Sequence, residues 1–495
     1  MRYGAVIDNR KCIGCHACTV ACKTENHVPL GVNRTWVKYV EKGRYPDTRR
    51  VFQVTRCNQC ENPPCVEICP VGAMYRRADG IVDFNPARCA GCKACMQACP
   101  YDAIYMDPER NTAAKCHFCA HRTEAGLAPA CAAVCPEHAI IAGDLDEPDS
   151  EIAQLLARET VRVRKPDKGT RPKVYYIEAE ESAMQPAAAR HEAFYMWSQR
   201  NESVPGGGAA YPPDSPFLLP DTLAAYDVSH ARPWGWQVPV FLWLKSIGAG
   251  VLALPALGMA FGWLAFDRVR EATLASLALL LVAACVLLLV SELGRRERFL
   301  SLLRIRPGRS WMSRGALILT VYGVLCGLFW LAAMAGRAGL SEILLGPAVA
   351  GGLLAAVYSA FLFGQCAGRD LWQARHLALH QVVQALLASA AVLSLIPAAR
   401  TVATGALVIC LPLHLAILVG EIAMPRATEN ARYAARLITH GQYRGVFWAG
   451  AVGVGGLLPL LLLPVAAGIA GLFALAGLLA WEWCFVMAGQ RVPNS

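Results

Sequence analysis

The sequence predicts two domains of different fold class, a small α+β domain at the amino-terminal end and an all-α transmembrane domain after it. Three observations support this division. Sixteen of the 21 cysteines precede residue 136, the stretch from about 238 to 488 is a series of apolar runs, and a segment rich in proline and glycine lies between them. We place the first domain at 1–185, a linker and interfacial segment at 186–237, and the membrane domain at 238–490.

The composition is that of a membrane protein. Hydrophobic residues make up 55% of the 495 residues and charged residues 17%, and the formal net charge is +10. These values exclude a disordered chain and are too apolar for an ordinary soluble enzyme of this size. The first residues lack the apolar segment of a signal peptide, so we expect the thiols to lie in a reducing compartment, where they serve as metal ligands more often than as disulfides.

The cysteines of the first domain form four sets of four. Sets one and three share the spacing x2, x2, x3, set two has x2, x4, x3, and set four has a longer middle interval of eleven residues. The members are, in order, Cys12, Cys15, Cys18 and Cys22; Cys57, Cys60, Cys65 and Cys69; Cys89, Cys92, Cys95 and Cys99; Cys116, Cys119, Cys131 and Cys135. A proline follows every set except the first, which has Lys23 at that position.

This spacing predicts a ferredoxin-like iron–sulfur domain. The run C-x2-C-x2-C-x3-C-P is typical of bacterial ferredoxins, in which the fourth cysteine binds the other cluster of a pair. Sixteen thiolates predict four [4Fe–4S] clusters, which are one-electron carriers and together form a conducting chain. Zinc is the alternative, but it favours separated ligand pairs around one tetrahedral ion.

The four-set pattern resembles the electron-transfer subunit of the complex iron–sulfur molybdoenzymes, the polysulfide, dimethyl sulfoxide and tetrathionate reductases and their relatives. Residues 169–176 (Gly-Thr-Arg-Pro-Lys-Val-Tyr-Tyr) are similar to the end of that subunit. The resemblance implies that sets one and four form one cluster pair and sets two and three the other. The implied ligand groups are Cys12, Cys15, Cys18 with Cys135; Cys22 with Cys116, Cys119, Cys131; Cys57, Cys60, Cys65 with Cys99; and Cys69 with Cys89, Cys92, Cys95.

Eight apolar stretches in the second half are each long enough to cross a bilayer. They run approximately over 238–265, 272–293, 312–335, 343–364, 377–397, 402–423, 445–464 and 466–488. Fourteen arginines flank the ends on the side of the cysteine-rich domain and four flank the other ends, so the positive-inside rule predicts a multi-pass protein of the cytoplasmic membrane with the clusters in the cytoplasm. The alternative is that these arginines bind a partner. Trp234, Trp236 and Trp243 are predicted to be interfacial anchors.

The membrane half resembles the NrfD-like family of polysulfide reductase membrane subunits. The similar segments are 244–250 (Leu-Lys-Ser-Ile-Gly-Ala-Gly), 307–315 and 369–372 (Arg-Asp-Leu-Trp). The resemblance implies two four-helix bundles, a quinone pocket near the cluster-bearing surface and no haem. The histidine and asparagine with which that family contacts quinone correspond here to Phe241 and Val238, so the pocket must be built differently.

Ionisable residues within apolar spans are costly and are functional candidates. The candidate quinone and proton residues are Lys245, Glu292, Tyr358, His414 and Glu421, with Glu482 a further buried acid. The resemblance implies a quinone contact for Tyr358 and a place in a proton path for Glu292. Each also has a structural interpretation: Lys245 extends to the interface, the two glutamates pair with arginines, His414 bridges helices and Tyr358 packs in the core.

These observations predict an electron-transfer and quinone-reacting subunit. The resemblance implies a separate molybdopterin-containing catalytic subunit that acts on a sulfur compound, with sulfite as a candidate, and menaquinone or ubiquinone as the membrane carrier. Membrane lipid is an expected partner and nucleic acid is not. Two alternatives are a subunit of a redox-driven proton-translocating respiratory complex and a transporter controlled by an iron–sulfur sensor.

Overall fold

The computed structural model describes residues 1–190, 218–228, 232–304, 309–423 and 428–495. These residues form two compact units. The first comprises Met1–Pro233 together with Cys366–Arg369 and Val492–Ser495, and the second comprises Trp234–Gln365 and Asp370–Arg491. Two short segments from the membrane half of the sequence therefore belong to the cysteine-rich unit.

Short strands and helices build the first unit. The strands are β1 (Tyr3–Asp8), β2 (Thr35–Arg44), β3 (Asp47–Arg56), β4 (Met74–Arg76), β5 (Val82–Phe84), β6 (Ile104–Asp107), β7 (Thr112–Lys115), β8 (Ile140–Asp144), β9 (Val161–Arg162), β10 (Val174–Ile177) and β11 (Thr222–Tyr226). The helices are α1 (Ala17–Glu25), α2 (Pro64–Glu67), α3 (Ala94–Ala98), α4 (Ala120–Thr123), α5 (Ala130–Ala133), α6 (Glu151–Arg158) and α7 (Glu181–Met184). This mixture is the ferredoxin-like α+β fold that the sequence predicts.

The first unit is closed by a four-stranded sheet in the order β8-β1-β10-β9. Strand β1 pairs parallel with β10, in the register Ala5 to Val174, and antiparallel with β8. Val6, Ile141 and Ile177 form a buried apolar cluster on this sheet. The 169–176 segment therefore returns the chain to the first strand, and the four cysteine sets lie in sequence between β1 and β8.

The predicted linker is partly folded. Within the segment 186–237, which the sequence predicts to be a linker, β11 joins β2 and β3 in a three-stranded antiparallel sheet. Ala224 of β11 packs with Val40 and Ala183 in a buried cluster, so alternating small apolar residues give this segment a buried face. The proline- and glycine-rich stretches 204–208 and 211–216 lie outside the described residues.

The segment Cys366–Arg369 is held in the first unit by a buried arginine. Arg369 donates from Nε to Gln97 Oε1 at 2.7 Å and from Nη2 to Asp102 Oδ1 at 3.1 Å. It also donates to the carbonyl of Val492, and Asn494 donates from its backbone to the other oxygen of Asp102. Buried charges are stable only when paired and hydrogen-bonded in this way, so these contacts fix both short segments on the cysteine-rich unit.

The regular secondary structure in the described residues of the second unit is helical. Its α-helices are α8 (Gln237–Gly250), α9 (Ala253–Ala260), α10 (Arg268–Glu292), α11 (Ser301–Arg304), α12 (Trp311–Met334), α13 (Ala338–Gln365), α14 (Leu377–Leu393), α15 (Arg400–Ala423), α16 (Glu429–Thr439), α17 (Leu458–Leu462) and α18 (Ala467–Gly489), and a π-helical segment, Val446–Leu457, precedes α17. Leu280 and Leu287 of α10 are about 70% exposed, the pattern of a surface that faces lipid.

Six stretches of this unit are long and apolar enough to span a membrane, against the eight that the sequence predicts. They are Gln237–Ala260, Arg268–Glu292, Trp311–Met334, Ala338–Gln365, Pro397–Ala423 and Ala467–Gly489. The other two predicted runs correspond to shorter apolar helices, Leu377–Leu393 and Val446–Leu462. Both helices are shorter than their predicted runs: α14 ends at Leu393, four residues before the predicted end at 397, and the other ends at Leu462, two residues before the predicted end at 464.

Small residues bring the helices of the second unit close together, as is usual for helices in membranes. A Cβ on Gly250 of α8 would lie 1.9 Å from the carbonyl oxygen of Ala385 in α14, so only glycine fits at this crossing.

Trp234 is not the interfacial anchor that the sequence predicts, since it is buried and stacks on Trp372 with ring centroids 5.5 Å apart. Cys285, like the other later cysteines, is a buried packing residue.

Candidate cluster and quinone sites

The structure brings together cysteines from three of the ligand groups that the resemblance implies. Cys12, Cys15, Cys18 and Cys135 line one cavity, and Cys57, Cys60, Cys65 and Cys99 line another. In the group Cys22, Cys116, Cys119 and Cys131, Asn26 contacts the sulfurs of Cys22 and Cys119, and Arg56 contacts those of Cys116 and Cys131. The group Cys69, Cys89, Cys92 and Cys95 stays a prediction.

Each of these two cavities is bordered by four cysteines and by apolar side chains. Ile13 and Ile140 lie beside the first cavity, and Val82 and Ile104 beside the second. Among the described residues, no group of three His, Cys, Asp or Glu side chains is arranged to bind a single metal ion.

The backbone around the cysteines is shaped to face an anion. Gly14 and His16 flank Cys15 with φ of 72° and 59°, and Gly91 and Lys93 flank Cys92 with φ of 69° and 62°. Left-handed residues at such turns direct successive N–H groups into one concavity, a device common at Fe–S sites. The amide of Gly91 donates to Cys89 Sγ at 3.4 Å. These donors stabilise thiolate sulfur over neutral thiol.

A buried arginine lies beside the group Cys22, Cys116, Cys119 and Cys131. Arg56 donates from Nη1 to Cys131 Sγ at 3.3 Å and from Nη2 to Cys116 Sγ at 3.4 Å, and its guanidinium lies over the Phe118 ring. Burial opposes ionisation of Cys116, yet the charge of Arg56 holds the pKa of that thiol below its ordinary value. Asn26 adds a side-chain donor to Cys119 Sγ at 3.5 Å. Sequence analysis missed Arg56 because it lies outside the cysteine spacing, on β3.

Lys23 follows the first cysteine set at the position where the other three sets have a proline. Proline ends a helix, and α1 continues three residues beyond Cys22 to Glu25 because Lys23 replaces it. The Lys23 ammonium donates to the carbonyls of Pro29 and Val32, which fixes the following loop. The substitution therefore extends the helix and leaves Cys22 in its group.

Lys245 is buried in the second unit and belongs to a polar cluster. Its Nζ donates to the carbonyl of Ala356 and to Ser359 Oγ, and lies 5.5 Å from the centre of the Tyr358 ring. Ser359 donates to Gln381 Oε1 at 3.1 Å. Because Lys245 is only 3% exposed and two of its three N–H groups are hydrogen-bonded inside the helices, it does not extend to the interface. A narrow gap beside Lys245 is lined by apolar side chains and Tyr322.

Glu292 and Tyr358 contact different residues of the second unit. Glu292 ends α10, where its carboxylate accepts from the backbone N–H of Gly235 at 3.3 Å. Tyr358 is buried against Gly315, where a Cβ would lie 2.1 Å from the tyrosine ring. The structure thus gives Glu292 a capping contact to the entry of α8, and it places Tyr358 next to Lys245.

His414 and Glu421 meet a histidine that sequence analysis missed. His380 of α14 contacts Glu421 Oε1 through Nδ1 at 2.9 Å and His414 Nδ1 through Nε2 at 3.0 Å. His376, one turn earlier, reaches the same Glu421 oxygen at 3.2 Å. His380 falls inside a predicted apolar run, so the rule that selected the other buried ionisable residues also applies to it.

Comparison with known protein families matches both halves of the sequence. The profile described as polysulphide reductase, NrfD, matches residues 226–494. Two profiles described as 4Fe-4S dicluster domains match residues 11–74 and 48–145.

Curated relatives match the cysteine-rich part. One subunit of the tetrathionate reductase of Salmonella typhimurium is 46% identical over 202 residues, which are 40% of this chain and 80% of that protein. Protein NrfC of Escherichia coli is 44% identical over 180 residues, 36% of this chain and 81% of that protein. One chain of the polysulfide reductase of Wolinella succinogenes is 42% identical over 179 residues, 36% of the present sequence and 94% of that protein. Each of these proteins therefore matches well under half of the present chain.

Proposed function

Because the protein belongs to the polysulphide reductase NrfD family and carries 4Fe-4S dicluster domains before that region, we propose that it conducts electrons between a molybdopterin-containing catalytic subunit and membrane quinone. Family membership makes it a multi-pass membrane protein and an iron–sulfur subunit of an oxidoreductase complex. The observation that carries the proposal is that cysteines of different sets line shared cavities in a chain that continues into helices long and apolar enough to span a membrane.

Each cysteine group holds one [4Fe–4S] cluster in this proposal, giving four. When bound, the clusters supply one-electron transfer at potentials set by charge, hydrogen bonds and burial. The chain's own residues provide thiolate ligands, the backbone donor at Gly91, and the positive charge of Arg56. These features bind the clusters and differentiate their potentials.

The catalytic partner binds where the first cluster group reaches the surface. Cys15 is exposed, and the nearby Ile13 and Val20 are 55% and 62% exposed. Exposed apolar side chains beside a redox ligand suit a protein interface that excludes water and shortens the path for electrons. The names of the relatives favour a sulfur compound such as tetrathionate or polysulfide as the partner's substrate, with sulfite a further candidate.

The quinone headgroup binds beside Lys245 and Tyr358. Two-electron reduction of a quinone also requires two protons, and a buried ammonium hydrogen-bonded to Ser359 is a suitable donor to a quinone oxygen. Glu482 of α18 is buried and lies close enough to Lys245 to interact with it electrostatically, which adds an acid to this part of the unit. Glu292 is the further candidate for proton exchange, at the end of α10.

The orientation follows from the arginine distribution in the sequence. The membrane domain forms two four-helix bundles in which Leu377–Leu393 and Val446–Leu462 complete the eight spans, and the cysteine-rich unit lies on the cytoplasmic side of the inner membrane. The connections on that side carry fourteen arginines and the opposite ones four.

Purification of the native complex and quinol-dependent reduction of its clusters, followed by EPR, tests the proposal. Lys245→Met and Tyr358→Phe are expected to lower quinol oxidation at least tenfold while dithionite still reduces all clusters. Glu342→Gln, an exposed position on the same helix as Tyr358, is the matched control. Wild-type turnover in both variants would remove the quinone site from this position, and clusters that quinol never reduces would overturn the function.

A further inference from the structure

A line of hydrogen-bonded ionisable side chains runs into the second unit. It begins at His376, whose side chain is 39% exposed, and continues to Glu421 at 3.2 Å. From Glu421 it passes to His380 at 2.9 Å and then to His414 at 3.0 Å. Glu421, His380 and His414 are buried. One end of the line therefore reaches the surface of the unit and the other lies in its interior.

The line approaches the Lys245 cluster through Glu482. Glu482 is 4% exposed and influences Lys245, His380 and Glu421 electrostatically. Trp481, the residue before Glu482 on α18, has its ring centroid 5.9 Å from that of His380. The ionisable groups that face one another here come from four helices: His380 from α14 and His376 from the residue before it, His414 and Glu421 from α15, Glu482 from α18 and Lys245 from α8.

We propose that His376, Glu421 and His380 form a proton relay between the surface of the membrane domain and the Lys245 pocket, with His414 and Glu482 as its inner members. This rests on the proposed quinone chemistry, which requires protons at that pocket. Imidazole is suited to the task because it accepts a proton on one nitrogen and releases one from the other.

Each step of the relay exchanges one proton and no electrons. A proton bound to His376 Nε2 passes to Glu421 Oε1, which breaks an N–H bond and forms an O–H bond. Glu421 then transfers a proton to His380 Nδ1, and His380 releases one from Nε2 toward His414 Nδ1. In a second branch, the Nε2 proton of His380 passes to a Glu482 carboxylate oxygen instead of to His414, which breaks the N–H bond and forms an O–H bond. This branch requires a bridging water or a rotation of the glutamate, because the contact between His380 and Glu482 is electrostatic.

A purely structural role for these residues is the competing explanation. The same contacts tie α14 to α15, as any interhelical hydrogen bond does. Ionisable groups inside a membrane domain are costly, and glutamine or serine joins helices at a smaller cost. The two explanations differ in their consequences: a structural tie survives replacement by another hydrogen-bonding side chain, and a relay does not.

The test uses the intact complex in liposomes with a water-soluble quinol analogue. His380→Gln and Glu421→Gln keep hydrogen-bonding groups but cannot relay protons, and we expect quinol turnover to fall at least tenfold with a larger solvent isotope effect. Cluster EPR and binding of a quinone-site inhibitor are expected to stay unchanged. His440→Gln and Glu429→Gln, exposed residues of the same unit, are the matched controls.

Chemical rescue separates the relay from a structural role. Imidazole added to the buffer should restore turnover in His376→Ala, because that site is exposed, and should not restore it in His380→Gln. Turnover within twofold of wild type in His380→Gln and Glu421→Gln would overturn the relay. If either variant fails to assemble, His376→Ala provides the test, because His376 is partly exposed. A loss of quinol turnover in His376→Ala that added imidazole does not restore would also overturn the relay. A wild-type complex that binds no quinone-site inhibitor would instead contradict the proposed function.

Discussion

Replacement of Arg56 is expected to change the midpoint potential of one cluster, the one beside its guanidinium. Its guanidinium lies 3.3 and 3.4 Å from the sulfurs of Cys131 and Cys116 and is 1% exposed, so solvent screens it little. A unit charge about 4 Å from another contributes about 4 kcal/mol at an effective dielectric constant of 20. An added electron is spread over the whole cluster, so we expect roughly half of this, about 2 kcal/mol, which is on the order of 80 mV for a one-electron couple.

Arg56→Gln is therefore expected to lower the midpoint potential of one cluster by roughly 80 mV, since it removes a positive charge that favours the reduced, more negative form. EPR-monitored redox titration measures this cluster by cluster. Arg56→Lys keeps the charge and should shift the potential less, and Arg50→Gln, an exposed arginine on the same strand, should leave every potential nearly unchanged. A shift below about 20 mV in Arg56→Gln with intact clusters would refute the electrostatic role.

Three further predictions concern ligand groups and packing. Cys99→Ser should alter the same cluster signal as Cys65→Ser and a different one from Cys95→Ser, although Cys95 is nearer in sequence; EPR of the three variants decides this. Gly250→Ala should destabilise the membrane domain by about 1–3 kcal/mol in thermal unfolding, because the new methyl overlaps the Ala385 carbonyl, whereas Gly364→Ala, which meets no neighbour, should not. Arg369→Ala should increase hydrogen exchange in Cys366–Arg369 and Val492–Ser495, and the exposed Arg162→Ala should not.

Local spacing made the cysteine sets and the apolar runs predictable from the sequence. Three cysteines within seven residues share one turn of backbone, and a run of twenty apolar residues has few alternatives to a membrane helix. The shortened helix Leu377–Leu393 was not predictable in this way, because hydropathy does not show where a helix ends.

Contacts between distant residues account for the features that the sequence did not predict. Arg56 is 60 and 75 residues from the two cysteines it contacts, and Arg369 is 267 residues from Asp102. Strand β11 pairs with β2 across most of the first unit's sequence. His380 lies within a largely apolar run, and its ionisable partners Glu421 and His414 come from α15, 41 and 34 residues further along the chain.

The metal content of anaerobically isolated protein tests the central claim most directly. Four clusters predict about sixteen iron atoms and a similar amount of acid-labile sulfide per chain, with no stoichiometric zinc. About four zinc ions per chain without iron or sulfide would contradict electron conduction through the cysteine groups, whatever the fold of the membrane helices.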